Sequence, residues 1–161
     1  MNYSMKLLLI IAALLGTIFT GCEDDIVLDP PVTEDPIVNY TVIGTATDNG
    51  ILVTLYAEGD ITSSYTKLYV QLRDEATSDL INGAQITLNP MMDMGNMQHS
   101  APFENPASET AENGYFPCAV VFQMPGETGW TLQIDVTEHT EGREASVTIP
   151  ISVATPNDTR T

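Results

Sequence analysis

The chain has 161 residues, enough for one domain of ordinary size with a real core. It carries 5 basic residues against 22 acidic ones, a formal net charge of −17. A surface that acidic repels nucleic acid and anionic lipid headgroups, so neither is expected as a partner.

Residues 1-21 read as a lipoprotein signal peptide. Lys6 gives a positive start, Leu7 to Phe19 is an almost unbroken apolar run, and Thr20-Gly21 supplies small residues before Cys22. The run is too short to span a bilayer as a stable helix. Phe19-Thr20-Gly21-Cys22 resembles the lipobox of bacterial lipoproteins, which implies lipidation of Cys22, palmitate included, and a membrane anchor. Acyl chains contribute roughly 0.8 kcal/mol per buried methylene, so two or more hold a protein firmly. With Cys22 lipidated, only Cys118 remains, and the fold must stand on its core without an internal disulfide.

Residues 22-36 hold six acids and three prolines, which reads as an extended tether. Glu23-Asp24-Asp25 after the cysteine resembles the surface-export signal of Bacteroidota lipoproteins. An outer-membrane lipoprotein is expected, facing either the periplasm or the cell surface.

From Ile37 the chain turns to short β-type runs bounded by turn residues, and residues 37-155 are expected to form one domain, followed by a tail at 156-161. The first run, Val38 to Ala46, leads through Asp48-Asn49-Gly50, a strong hairpin signal, into Ile51 to Ala57. Tyr65 to Arg73 alternates, with Leu68, Val70 and Leu72 on one face and Lys67, Gln71 and Arg73 on the other. Ala84, Ile86 and Leu88 face inward on the next strand. Pro90 to Asn113 lacks periodicity and reads as a long loop, of the kind that is usually functional or disordered. Tyr115 to Met124 is a strand whose Pro117 cannot donate to a ladder, so it is an edge or a bulge there. Trp130, Leu132, Ile134 and Val136 face the core, as do Ala145, Val147, Ile149, Ile151 and Val153 on the last strand. About seven one-sided strands predict an all-β, immunoglobulin-like antiparallel β-sandwich.

The methionines are distributed unevenly. Of seven, four fall between Met91 and Met97, with His99 just after, among Gly, Asn and Gln. Methionine normally enters a core singly, as a flexible gap-filler. Clustered thioethers with an imidazole suit copper, especially Cu(I). Calcium or magnesium would want several carboxylates, where the window offers Asp93, and zinc would want more His or Cys. Met92, Met94, Met97 and His99 are therefore the expected metal ligands, with Met91 and Cys118 as possible additions. Met91 follows the Leu88 strand and is the methionine expected to pack back over the sandwich. The plainer alternative is that the methionines only pack. Thioethers carry no proton, so such a site should vary little with pH until His99 protonates.

His139, between acids in a turn, reads as a solvated surface residue, and Cys118 within a strand as a small buried hydrophobe. No Gly-rich phosphate loop or Cys-x-x-Cys motif is present, and nothing selects one carboxylate pair among many. The chain reads as a non-enzyme.

The order Gly83-Ala84-Gln85-Ile86-Thr87-Leu88-Asn89-Pro90-Met91-Met92-Asp93-Met94, then His99-Ser100-Ala101-Pro102, Glu104-Asn105-Pro106, Gly114-Tyr115 and Phe122-Gln123-Met124-Pro125-Gly126 before Trp130, resembles the YtkA-like domain, a relative of FixH-type proteins. The resemblance spans about Ile61 to Val153. It implies a small exported β-sandwich associated with copper handling, with Met92, Met94, Met97 and His99 in a metal-facing loop. Met124 and Trp130 would belong to the core and its adjoining turn, and Cys118 departs from the pattern. The expected function is a membrane-anchored copper buffer, sensor or delivery module, partnered by a copper-handling protein. The alternative is a surface interaction or structural module without metal.

Overall fold

A computed structural model describes residues 39–156. Residues 1–38, where the signal peptide, the lipidation of Cys22 and the tether are expected, and the end of the expected tail lie outside the described residues. Among the described residues nine strands follow one another: β1 (Thr41–Asp48), β2 (Ile51–Ala57), β3 (Tyr65–Asp74), β4 (Ala84–Asp93), β5 (Gln98–Ser100), β6 (Phe103–Glu104), β7 (Phe116–Val121), β8 (Gly126–Glu138) and β9 (Glu144–Val153). They form two antiparallel sheets, one ordered β1-β2-β3-β7-β6 and the other β5-β4-β8-β9. The protein is an all-β sandwich. The seven longer strands are those the alternation predicts, and β5 and β6 are the two short additions.

Turn chemistry sets the registers. Asn49 and Gly50 both take positive φ (47° and 75°), as a two-residue hairpin turn requires, and pair Asp48 with Ile51. Asn113 and Gly114 do the same (51° and 83°), closing Glu112 onto Tyr115 before β7 begins. Pro117 pairs with Tyr69 on the β3 side, whereas β6 reaches only Ala119 and Val120. The strand is thus an edge where its proline falls, as the sequence requires.

The core is the sum of the inward parities. Val53, Leu55, Leu68, Val70, Leu72, Phe116, Cys118 and Val120 come from one sheet; Leu88, Leu132, Ile134, Ile149 and Ile151 come from the other. Trp130 crosses Phe122 edge-on at 5.2 Å and donates its indole N–H to the Met124 carbonyl at 3.0 Å. A buried Tyr or Trp must satisfy its polar end in this way.

The β1 and β9 edges close on each other. Asp48 Oδ2 accepts from the Ser146 N–H at 2.8 Å, and Asn49 donates to the Glu144 carbonyl at 3.0 Å. Gly44 makes the approach possible, since a Cβ there would lie 2.6 Å from Ile149 Cγ2. Gly44→Ala must push a packed isoleucine aside, and overpacking of that kind costs about 1–3 kcal/mol. The denaturant midpoint of Gly44→Ala is expected to fall accordingly; an unchanged midpoint would show that β1 is loosely held.

One polar cluster sits at the same end. Glu138 continues the inward parity of β8 yet is only 2% exposed. Its burial alone would push the carboxyl up, and this is the largest single influence on it. The Glu141 and Thr140 N–H groups and the Arg143 guanidinium together outweigh burial and hold it below the ordinary glutamate value. Asp74, capped by the Thr77 N–H and bonded to Arg143 Nη1 at 2.9 Å, is lowered as well. Carboxyls depressed in the folded state stabilise it above their unfolded values, and that stability is lost as pH falls through the folded ones. The thermal midpoint should therefore drop as pH is lowered below about 4. Combining Asp74→Asn with Glu138→Gln should flatten that drop while lowering the midpoint near neutrality.

Candidate functional site

The methionine window is a hairpin rather than a loop. β4 runs on through Pro90, Met91 and Met92 to Asp93, opposite Leu132, Thr131 and Trp130 of β8, and β5 returns beside it. A proline within a strand removes a ladder donor and normally breaks the pairing. Within a strand a residue's N–H and C=O point to the same side. The Pro90 carbonyl accepts from the Ala101 N–H, so its missing N–H also faces β5, where that short ladder ends. The proline costs β4 nothing toward β8, and its ring is buried with the inward set.

The parity of β4 then decides what each methionine does. Ala84, Ile86, Leu88, Pro90 and Met92 are buried in alternation, and Met92 is 8% exposed within the core. The expectation that Met91 packs inward is corrected: counting by twos from Leu88 reaches Met92, and Met91 is half-buried on the other face. The Met91 carbonyl accepts from the Thr131 hydroxyl at 3.4 Å.

The pairing register carries the face onward. Met92 lies opposite His99 and Asp93 opposite Gln98. The Met94 N–H donates to the Met97 carbonyl at 2.9 Å, which sets those two opposite each other at the tip. Directly opposed residues share a face, and successive pairs alternate faces. Met92 with His99, and Met94 with Met97, therefore fall on one side of the hairpin, while Met91, Asp93, Gln98 and Ser100 fall on the other. Contact is already made within the first group, with His99 Nε2 3.1 Å from Met94 Sδ. Exposure rises outward from the core, from 8% at Met92 to 48% at Met94 and 60% at Met97.

The turn is specified by its own residues. Gly95, at the first central position, has φ 83°, and the Asp93 carboxylate accepts its N–H at 2.7 Å. From behind, β8 presses on the hairpin. Gly129 has φ 106°, and a Cβ on it would lie 2.9 Å from the Asp93 carbonyl oxygen.

Cys118 is elsewhere, on β7 opposite Leu68, whose carbonyl its thiol meets at 3.4 Å. Burial pushes the thiol up to about 12. Metals take the thiolate, which this environment disfavours, so the residue has the setting of a structural cysteine. His139 caps the end of β8 with Nε2 3.7 Å from Glu109, both side chains open to solvent. Among the described residues no three His, Cys, Asp or Glu side chains gather as a metal cage.

A second feature lies on the five-stranded sheet. Tyr40, Tyr56, Tyr69 and Tyr115 pack together, with centroids between 4.2 and 6.5 Å, on the outer side of the five-stranded sheet. The signal was the outward parity of β2 and β3, which puts Tyr56 and Tyr69 away from the core as surely as it puts Leu55 and Leu68 into it.

Gly129→Ala is the local test of how the hairpin is held. A methyl there meets backbone and forces a left-handed φ on alanine, for which about 1–3 kcal/mol is the usual cost. Amide exchange at Met94 is expected to speed up in this variant; unaltered protection would mean that β8 does not brace the turn.

Comparison of the chain with protein-family models, curated proteins and solved structures returns no match.

Proposed function

We propose that this chain is an exported, lipid-anchored β-sandwich that binds a soft metal ion, Cu(I) foremost, on the β4–β5 hairpin. In this reading it serves as a copper buffer, sensor or delivery module and performs no chemistry of its own. The resemblance to YtkA-like domains, the immunoglobulin-like subclass and a copper-handling partner belong to the same proposal. One observation carries it: the register gathers Met92, Met94, Met97 and His99 on a single face, with His99 Nε2 and Met94 Sδ 3.1 Å apart.

The donor chemistry fits. Thioether and imidazole prefer Cu(I) to hard cations, and thioethers need no deprotonation. At the bond lengths zinc takes, about 2.3 Å to thiolate sulfur and 2.0–2.1 Å to imidazole nitrogen, two tetrahedral donors stand roughly 3.5 Å apart, which serves as the scale here. His99 and Met94 need only open slightly from their present contact, at an exposed edge where side chains are free to move. Packing explains Met92 but leaves the more exposed pair at the tip without a role. A docking surface for a partner protein is the second reading, favoured by the exposure of Met94, Met97 and Phe103.

A titration separates the two. The full chain in non-ionic detergent, under reducing conditions, is titrated with Cu(I) against a chromophoric chelator. Stoichiometric competition is expected, with quenching of Trp130, the chain's single tryptophan and the cross-strand neighbour of Met92. His99→Ala should weaken binding by roughly tenfold or more, about 1.4 kcal/mol. Changing Met92, Met94 and Met97 to Leu together with His99→Ala should abolish it. Methionine-to-leucine is close to volume-conserving and costs under about 1.5 kcal/mol even in a core, so the loss would not reflect unfolding. Competition undiminished in the quadruple variant would sink the metal reading and leave the docking surface.

A further inference from the structure

The outer face of the five-stranded sheet carries a second kind of site. On β3, Tyr65, Lys67 and Tyr69 point outward in succession while Leu68 and Val70 point into the core. Two residues of strand advance roughly 6.6–6.8 Å, so Tyr65 and Tyr69 leave the backbone about 13 Å apart with Lys67 between them. Beside this row runs an open groove of about 350 Å³, bordered also by Glu104, Asn105 and Glu112.

The aromatic members are held from behind. Tyr69 stacks on Tyr40 at 4.2 Å and 34°, meets the edge of Tyr115 at 6.5 Å, and donates its hydroxyl to Glu58. Tyr65 is 52% exposed and donates to Glu104 Oε2 at 3.1 Å, and Glu104 itself borders the groove. Lys67 takes no part in the ion pairs found among the described residues. Such rings give contact area at little entropic cost, because they are fixed before anything binds.

The chemistry of the row selects its occupant. Tyrosine faces accept flat, C–H-rich surfaces, carboxylates accept hydroxyl protons, and an ammonium or carboxamide donates to hydroxyl oxygens. A molecule that offers an apolar ring face together with many hydroxyls is a sugar. The net charge of −17 and the two glutamates at the rim repel sulfated, phosphorylated or uronic chains. An apolar helix or lipid would leave the lysine and carboxylates desolvated without partners. We propose that this groove binds a neutral glycan, stacked on Tyr65 and Tyr69 and hydrogen-bonded by Lys67, Glu104 and Asn105. The site lies on the sheet that does not carry the methionine hairpin, so it stands or falls independently of the metal reading.

Affinity electrophoresis of the full chain in non-ionic detergent tests it, with laminarin, xyloglucan or galactomannan cast in the gel and alginate as the anionic control. At least one neutral polysaccharide is expected to slow the chain, and alginate is not. Tyr65→Ala and Lys67→Ala, both at solvent-facing positions, should each weaken retardation by about tenfold. Met94→Leu with Met97→Leu should leave it unchanged. Near-UV circular dichroism checks that the substituted chains are folded, and Lys67→Ala serves if Tyr65→Ala is not. Unaltered mobility in all three neutral gels overturns the proposal, as would a groove that takes an extended peptide instead. Retardation that survives both substitutions, or that appears only in alginate, overturns it too.

Discussion

The in–out alternation of β4 is the constraint on which the rest of the candidate site depends. The strand has to bury Ala84, Ile86 and Leu88 against β8 and the opposite sheet, and a one-residue slip would turn that whole set to solvent. The core thus fixes the phase, and the phase is inherited by residues that the core does not need. Met92 is the last inward residue with neighbours enough to be buried, and past it the strand overhangs the sandwich. Met94, Met97 and His99 take their common orientation from packing that occurs several residues earlier.

Glycine supplies the tolerances that this arrangement requires. At Gly44 the β1 edge closes over Ile149, and at Gly129 the bulged start of β8 passes under the Asp93 carbonyl. Each is a point where a backbone comes nearer than a side chain allows. The first seals one edge of the sandwich, and the second lets β8 support the root of the hairpin. The ionic group of Asp74, Glu138 and Arg143 ties the turn between β8 and β9 to the end of β3, with Arg143 also donating to the Gly50 carbonyl at 3.1 Å. Rigid elements of this kind hold exposed side chains more steadily than a loop can.

The strands were legible in the sequence because one-sided burial writes a period of two, and turns such as Asn49-Gly50 and Asn113-Gly114 have a chemistry of their own. The hairpin was not, for a physical reason. Proline usually ends a central strand, and the residues after Met92 gain no burial from their partner, so no hydrophobic alternation marks them. Only the direction of the Pro90 carbonyl, toward Ala101, shows why the ring is tolerated. Nearness to Leu88 points to an inward Met91, but the parity of β4 turns Met92 inward instead. The tyrosine row is written in the same period, since Tyr65 and Tyr69 alternate with the core residues of β3 as regularly as Lys67 does.

The exposure gradient along the hairpin bears on how a metal would be held. Met92 fills space in the core beside Trp130, and drawing its sulfur outward would open a gap that costs stability. Met94 and His99 are already in contact and, with Met97 across the turn, can converge without disturbing any buried side chain. Cu(I) would then rest on two thioethers and an imidazole, with Met92 as an apolar wall or as a fourth donor only when its flexible side chain swings. Such a site has its exchangeable ligands at the tip and its least movable one in the core. Binding strength and ease of release would in that case be set by different residues of the same short hairpin.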